Sequence, residues 1–232
     1  MKTKISSKEY WEENIQGFSG FYDKGSEENL HGPRLLTSIY KKAVFPLEKK
    51  YMRQRFDMVS AFIAKNIRPD MDIADIGCGT GIYTKQMASL GAKVHAIDFS
   101  NSALELTKKN LTPKELGFVE FHKFDVRSRS IPLSDISIAI GVMPYIEQLD
   151  GFLDNILPCT SCFYFNFLDA DSWINIVRYK LPLLDVRGYH YHSVRELHDK
   201  LAARDHEIVD IRKLATGFLV ESRNSTKQKR TS

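Results

Sequence analysis

The stretch Asp72-Ile73-Ala74-Asp75-Ile76-Gly77-Cys78-Gly79-Thr80-Gly81, followed after a helical pattern by Val94-His95-Ala96-Ile97-Asp98, decides the fold. A short strand rich in β-branched residues runs into three glycines at alternate positions. There the backbone can turn sharply and come close to a ligand with no Cβ to intrude. The turn opens a helix, and Asp98 closes the second strand 21 positions after Gly77. A βαβ unit of about that length returns an acidic side chain to a ribose edge, where one carboxylate can accept both hydroxyls. The stretch reads as a nucleoside-cofactor site.

The spacing of the glycines separates cofactor classes. A dinucleotide fingerprint, G-x-G-x-x-G, would need its last glycine at Ile82. Here the third glycine comes one residue early, at Gly81, and the loop is preceded by Asp75, a carboxylate that repels a pyrophosphate and suits a cationic ligand. This D-x-G-x-G-x-G pattern resembles motif I of the class I S-adenosylmethionine-dependent methyltransferases. The resemblance implies that Asp75 and the backbone of Gly77, Gly79 and Gly81 hold the methionyl end of S-adenosyl-L-methionine, whose carboxylate the following helix N-terminus favours. Asp98-Phe99-Ser100 looks like the second motif, with Asp98 on the ribose and Phe99 against one adenine face. Phe121-His122-Lys123-Phe124-Asp125-Val126 looks like the third, with Asp125 accepting from the adenine amino group and the Val126 backbone at the ring edge. Ser134 to Ile146, with Gly141 at the turn, resembles the fourth strand and the loop after it. The match runs from about residue 54 to 168 and thins afterward. Taken alone, Asp125 also reads as a turn or cap residue and Phe99 as core.

The rest of the chain supplies a doubly wound α/β sheet. Strands are expected near 72–77, 93–98, 118–124, 135–140 and 162–168, and helices near 53–67, 82–90, 101–110 and 149–157. Such βαβ alternation gives a parallel sheet. A helix from Val194 to Ala203 precedes strands 207–214 and 216–222, joined too tightly for a crossover, hence an antiparallel C-terminal edge pair. The family resemblance implies the same mostly parallel seven-stranded sheet. Residues 1–50 read as a helical extension or lid, 51–225 as the cofactor-binding domain and 226–232 as a disordered basic tail.

With 232 residues and 43% apolar content the chain can bury one α/β core. It has no apolar run near 18 residues and no signal-like start, so a cytoplasmic protein without a membrane span is expected. A net charge of +4 is mild, and no stripe of basic residues interleaved with aromatics argues for nucleic acid. The turn after the fourth strand, Gly141-Val142-Met143-Pro144-Tyr145, lacks the Asn/Asp-Pro-Pro-Tyr/Phe signature of base amino-methylation. Cys78, Cys159 and Cys162 read as reduced structural thiols, since the single C-x-x-C has no further zinc ligands beside it.

Acceptor specificity is expected in two places. One is the region from Asp169 to His192, which carries Trp173, Arg178, Tyr179, Lys180 and Arg187. The other is the N-terminal extension with Tyr10, Trp11, Phe18, Phe21 and Tyr22. His192, His190 and His31 are the candidate bases for a hydroxyl acceptor, with capping or surface roles as the plain alternative for the first two. No metal is expected, because Glu147 and Asp150 after the fourth strand look like helix-start residues. The expected activity is methyl transfer to a small polar metabolite or glycan intermediate, at oxygen, leaving S-adenosyl-L-homocysteine. N- or C-methylation, a nicotinamide-dependent oxidoreductase and a non-catalytic cofactor-binding protein are the alternatives, and a homodimer stays open.

Overall fold

The computed structural model of the chain describes residues 45–173, 175–176 and 189–228. Helix α1 (Phe45–Asn66) turns Val59, Phe62 and Ile63 inward, and its last carbonyls are capped by Arg68, whose guanidinium donates to Lys65 O at 2.7 Å and Ile67 O at 2.9 Å. Next come β1 (Asp72–Ile76), α2 (Ile82–Ser89), β2 (Lys93–Asp98), α3 (Asn101–Asn110), α4 (Pro113–Leu116) and β3 (Val119–Lys123). The second half holds β4 (Ser134–Ala139), α5 (Leu149–Asp154), β5 (Thr160–Leu168), α6 (Val194–Ala202), β6 (His206–Lys213), β7 (Gly217–Asn224) and α7 (Ser225–Gln228).

One seven-stranded sheet runs in the order β3-β2-β1-β4-β5-β7-β6. Pairs from β3 to β5 are parallel, and β7 enters antiparallel to both β5 and β6. The strand order reverses between β1 and β4, so a crevice opens at the carboxyl ends of these two strands. Alternation along β5 shows how the two faces are filled. Phe163, Phe165 and Phe167 pack with α5 and α6 residues such as Phe152, Leu153 and Leu197, while Cys162 and Tyr164 pack with α1 and α2. Phe62 of α1 stacks on Tyr164 with ring centroids 3.8 Å apart.

The expected strands and their directions are all present. The differences lie at boundaries. Helix α1 reaches back to Phe45, across the expected division at residue 50. The helix expected over 149–157 stops at Asp154, and Leu157–Cys159 form a separate 3₁₀ turn because Pro158 cannot continue an α-helix. Strand β5 begins at Thr160, so Cys162 lies inside it. Ser225–Gln228 form a helical turn that takes in the first three residues of the expected tail (226–232), and 229–232 lie outside the described residues, as does the extension before Phe45. Among the described residues no helix is long and apolar enough to cross a membrane.

Candidate active site

The site grows from the turn between β1 and α2. Gly77, Gly79 and Gly81 have φ of 67°, 56° and 76°, left-handed values that side chains with a Cβ rarely adopt. At Gly81 the demand is double. An added Cβ would sit 3.0 Å from the Cα of Thr107, so the glycine also lets α2 start hard against α3. Thr107 holds the loop from the other side, donating its hydroxyl to Gly79 O at 3.1 Å, and Asn110 donates to Thr80 O at 2.9 Å. The loop is thereby fixed before any ligand arrives.

Asp98 ends β2 beneath this loop and is 8% exposed. One carboxylate oxygen accepts from Gly79 N–H at 3.1 Å, the other from Ser100 N–H at 2.9 Å. Ser100 in turn caps α3 by accepting from Ala103 N–H at 3.2 Å. A carboxylate held in this way is fixed in orientation at the edge of the loop. Asp75, in β1, is 3% exposed and accepts from the Thr84 hydroxyl on α2. Burial, with the Asp98 charge adding to it, raises the Asp75 pKa from 3.8 to about 6, against the pull of the Thr84 bond. Two buried acids close together make a strongly electronegative floor that favours a cationic ligand. The Cys78 thiol between them is pushed well up by burial and by both charges, so it is no thiolate.

The remaining cofactor candidates flank this floor. Phe99 is half-buried, and Val126 is 7% exposed with its carbonyl accepting from Asn155 Nδ2 at 2.9 Å. The Asp125 carboxylate is gripped by Arg127, whose Nη2 lies 2.6 Å from Oδ2 and whose Nε lies 3.0 Å from Oδ1. Gly141 follows β4 with φ 82°, and its N–H donates to Asn166 Oδ1 at 2.7 Å. The position of a Cβ there would be 3.8 Å from Arg55 Nη1, so α1 delivers a guanidinium to the carboxyl end of β4. Asn166 is 1% exposed, and its Nδ2 is buried with no hydrogen-bond partner among the described residues.

Of the histidines named as candidate bases, His192 and His190 lie among the described residues. His192 is 5% exposed; its Nε2–H donates to Ile146 O at 3.0 Å, and its Nδ1 lies 3.3 Å from the Glu196 carboxylate. Ser193 caps α6, accepting from Glu196 N–H at 3.1 Å. The ring thus ties the loop after β4 to the start of α6, and neither nitrogen is left for a substrate. His190 lies two residues earlier, with its N–H donating to Pro144 O at 2.8 Å, and neighbouring Tyr189 packs its ring 5.5 Å from Tyr145. Trp173 is 74% exposed at the head of the insertion. His31, the aromatic residues of the extension, Arg178, Tyr179, Lys180 and Arg187 lie outside the described residues.

Asp150 stands in the first turn of α5, bound to Lys200 at 2.6 Å and Arg204 at 3.0 Å, a structural role in keeping with its reading as a helix-start residue. Cys78, Cys159 and Cys162 carry free thiols, and burial raises the Cys162 pKa to about 12, beyond useful redox reactivity. Sequence reasoning missed Arg55, Thr84, Thr107, Arg127 and Asn166. Only Arg127, two residues from Asp125, had a local signal; the others reach the site from separate elements.

Residues 73–159 match a protein family described as "Methyltransferase domain". Over 103 residues, 43% of this chain, the sequence is 35% identical to the mitochondrial ubiquinone biosynthesis O-methyltransferase of Schizosaccharomyces pombe, covering 38% of that protein. It is 29% identical over 105 residues to the magnesium-protoporphyrin O-methyltransferase of Rhodobacter capsulatus, covering 44% of this chain and 47% of that one. The chain spans less than half the length of these curated relatives. Magnesium protoporphyrin IX methyltransferase from Synechocystis PCC 6803, solved with bound SAH, is similar with a TM-score of 0.66 at 16% identity, covering 91% of this chain and 98% of that one. At that identity the likeness is one of fold.

Proposed function

We propose that the chain, whose residues 73–159 match a methyltransferase-domain family, is a class I S-adenosylmethionine-dependent methyltransferase that methylates a small polar metabolite or glycan intermediate at oxygen. The observation that carries the cofactor half is Asp98: a buried carboxylate anchored to Gly79 and Ser100 at the crevice where a ribose would lie. The oxygen assignment is supported by the O-methyltransferases among the relatives. Three free cysteines suit a reducing compartment, and we place the reaction in the cytoplasm.

S-adenosylmethionine brings an electrophilic methyl on a sulfonium sulfur and leaves as S-adenosylhomocysteine. The chain's residues then have separable tasks. Asp98 accepts from the ribose hydroxyls; Phe99 covers one adenine face. Asp125, oriented by its Arg127 pair, accepts from the adenine amino group, and the Val126 backbone meets the ring edge. Asp75 attracts the ammonium. Gly77, Gly79 and Gly81 admit the methionyl chain, and Arg55 over Gly141 meets its carboxylate. Since His192 spends both ring nitrogens on Ile146 and Glu196, we assign it to positioning the loop and give the base role to His190, with Tyr145 and Tyr189 beside the acceptor. A base poised near neutral pH contributes about 10² to 10⁴ in rate when the acceptor is a hydroxyl.

The test is isothermal titration of the protein with S-adenosylhomocysteine, with NADH as control. Binding of the first alone is expected, and Asp98→Ala should weaken it at least severalfold, because ribose hydroxyls are left without their acceptor. Tight NADH binding instead would favour the oxidoreductase reading. An Asp98→Ala variant that binds as well as wild type would remove the ribose assignment.

A further inference from the structure

The face of the sheet at its β3 edge carries a cluster that methyl transfer does not use. His95 of β2 and Glu120 of β3 are direct register partners, and His122 lies two residues further along β3, on the same face by the period of the strand. His95 Nδ1 is 3.0 Å from His122 Nε2 and 3.4 Å from Glu120 Oε2, and His122 Nε2 is 3.6 Å from Glu120 Oε1. We propose that His95, His122 and Glu120 form a binding site for one divalent transition-metal ion of zinc's class, clamping the edge strand β3 to β2.

The geometry is that of a coordination shell. Ligands about 2.0–2.1 Å from a tetrahedral zinc ion stand roughly 3.3 Å from one another; the two histidine nitrogens are 3.0 Å apart, one carboxylate oxygen of Glu120 faces each of them, and one donor atom from each residue lies within 4.8 Å of the others. Two imidazoles and one carboxylate are a borderline-soft donor set suited to zinc, with a fourth position left for water. The side chains are graded in exposure: 16% for His95, 19% for His122 and 68% for Glu120. An ion can therefore enter from the Glu120 side and lose water against the two rings. His122 is oriented by its edge contact with the Phe124 ring, 6.3 Å between centroids, and the Arg129 guanidinium lies over that ring at 5.0 Å. β3 is the outermost strand and, among the described residues, pairs only with β2 on its inner side, so a metal bridge from β2 fixes the register of the strand held by the fewest neighbours.

Full-length protein stripped with a chelator is titrated with zinc against a chromophoric competitor, and with cobalt read by its visible absorption. One equivalent per chain is expected, with a cobalt spectrum free of thiolate charge-transfer bands. His95→Gln, His122→Gln and Glu120→Ala should each lower zinc affinity by at least about tenfold, the smaller end of what even the outer partners of a metal site contribute. His198→Ala, an exposed histidine elsewhere, should leave affinity as it is. Glu120→Ala keeps the test decisive if a histidine variant folds poorly, because its side chain is mostly solvent-facing. Absence of stoichiometric binding, equal affinity in wild type and Glu120→Ala, or a cobalt spectrum showing thiolate ligation would each overturn the site.

Discussion

Asp75 shows how much one buried side chain sets. Its folded pKa near 6 lies above the 3.8 of an ordinary aspartate, so between those values the folded state binds the proton more tightly than the unfolded chain. The stability linked to this group is therefore present below pH 4 and is lost as pH rises through 6. An Asp75→Asn variant carries no such dependence. Chemical denaturation should show the stability difference moving in the variant's favour by roughly 2 kcal/mol between pH 4.5 and 7.5, at 1.36 kcal/mol per unit of pKa shift. A difference that stays constant with pH would place the folded pKa of Asp75 at its ordinary value. The same acid was legible in the sequence because it precedes the glycine loop, and Asp98 was legible from its distance to that loop. Neither the clamp of Asp98 onto Gly79 nor the hydroxyl of Thr84 could be read there, since both need the β1–α2–β2 unit folded. His192 went the other way: a cap position was visible, but the carbonyl of Ile146, 46 residues away in sequence, decides what the ring does.

At the scale of elements, the antiparallel insertion of β7 depends on a residue that sequence periodicity passes over. Gly217 pairs with Leu168 at the carboxyl end of β5, and a Cβ on it would lie 1.9 Å from Phe167 O. A backbone oxygen on a paired strand cannot move aside without breaking the ladder. Gly217→Ala should accordingly cost at least about 2 kcal/mol, in the range that overpacking of a close contact produces, measured as a lowered midpoint in denaturant. A near-neutral effect would mean that β7 can shift off β5 without loss. Strand positions and directions were readable because alternating apolar runs and short connections carry them locally. Register was not, and register is what brings His95, Glu120 and His122 together from β2 and β3. Arg55 and Asn166 escaped notice for the same reason: α1 and β5 are far apart in sequence and meet at Gly141 only in the folded sheet.

Across the whole molecule, the crevice is built by nearly every parallel strand. The glycine loop follows β1, Asp98 ends β2, Asp125 follows β3 and Gly141 follows β4, while Arg55 comes from α1, which packs in the same core as β1, β4 and β5. A ligand gripped by all of them binds the assembled sheet and not the unfolded chain, so its binding energy is added to global stability. With S-adenosylhomocysteine at 100 times its Kd this gain is about 2.7 kcal/mol. For a chain of 232 residues, each kcal/mol moves Tm by about 2–4 °C. Thermal unfolding should therefore shift upward by roughly 5–10 °C, and Asp98→Ala at the same ligand concentration should lose about a third of that shift or more, the loss that a fivefold or larger rise in Kd produces. Zinc, if it clamps only β2 and β3, should raise Tm in Asp98→Ala as much as in wild type, because its ligands sit on the sheet face and not in the crevice. Independent shifts from the two ligands would establish two separate sites on one cooperative fold, whereas a zinc effect that disappears with Asp98 would put the metal in the crevice and against the assignment made from β2 and β3.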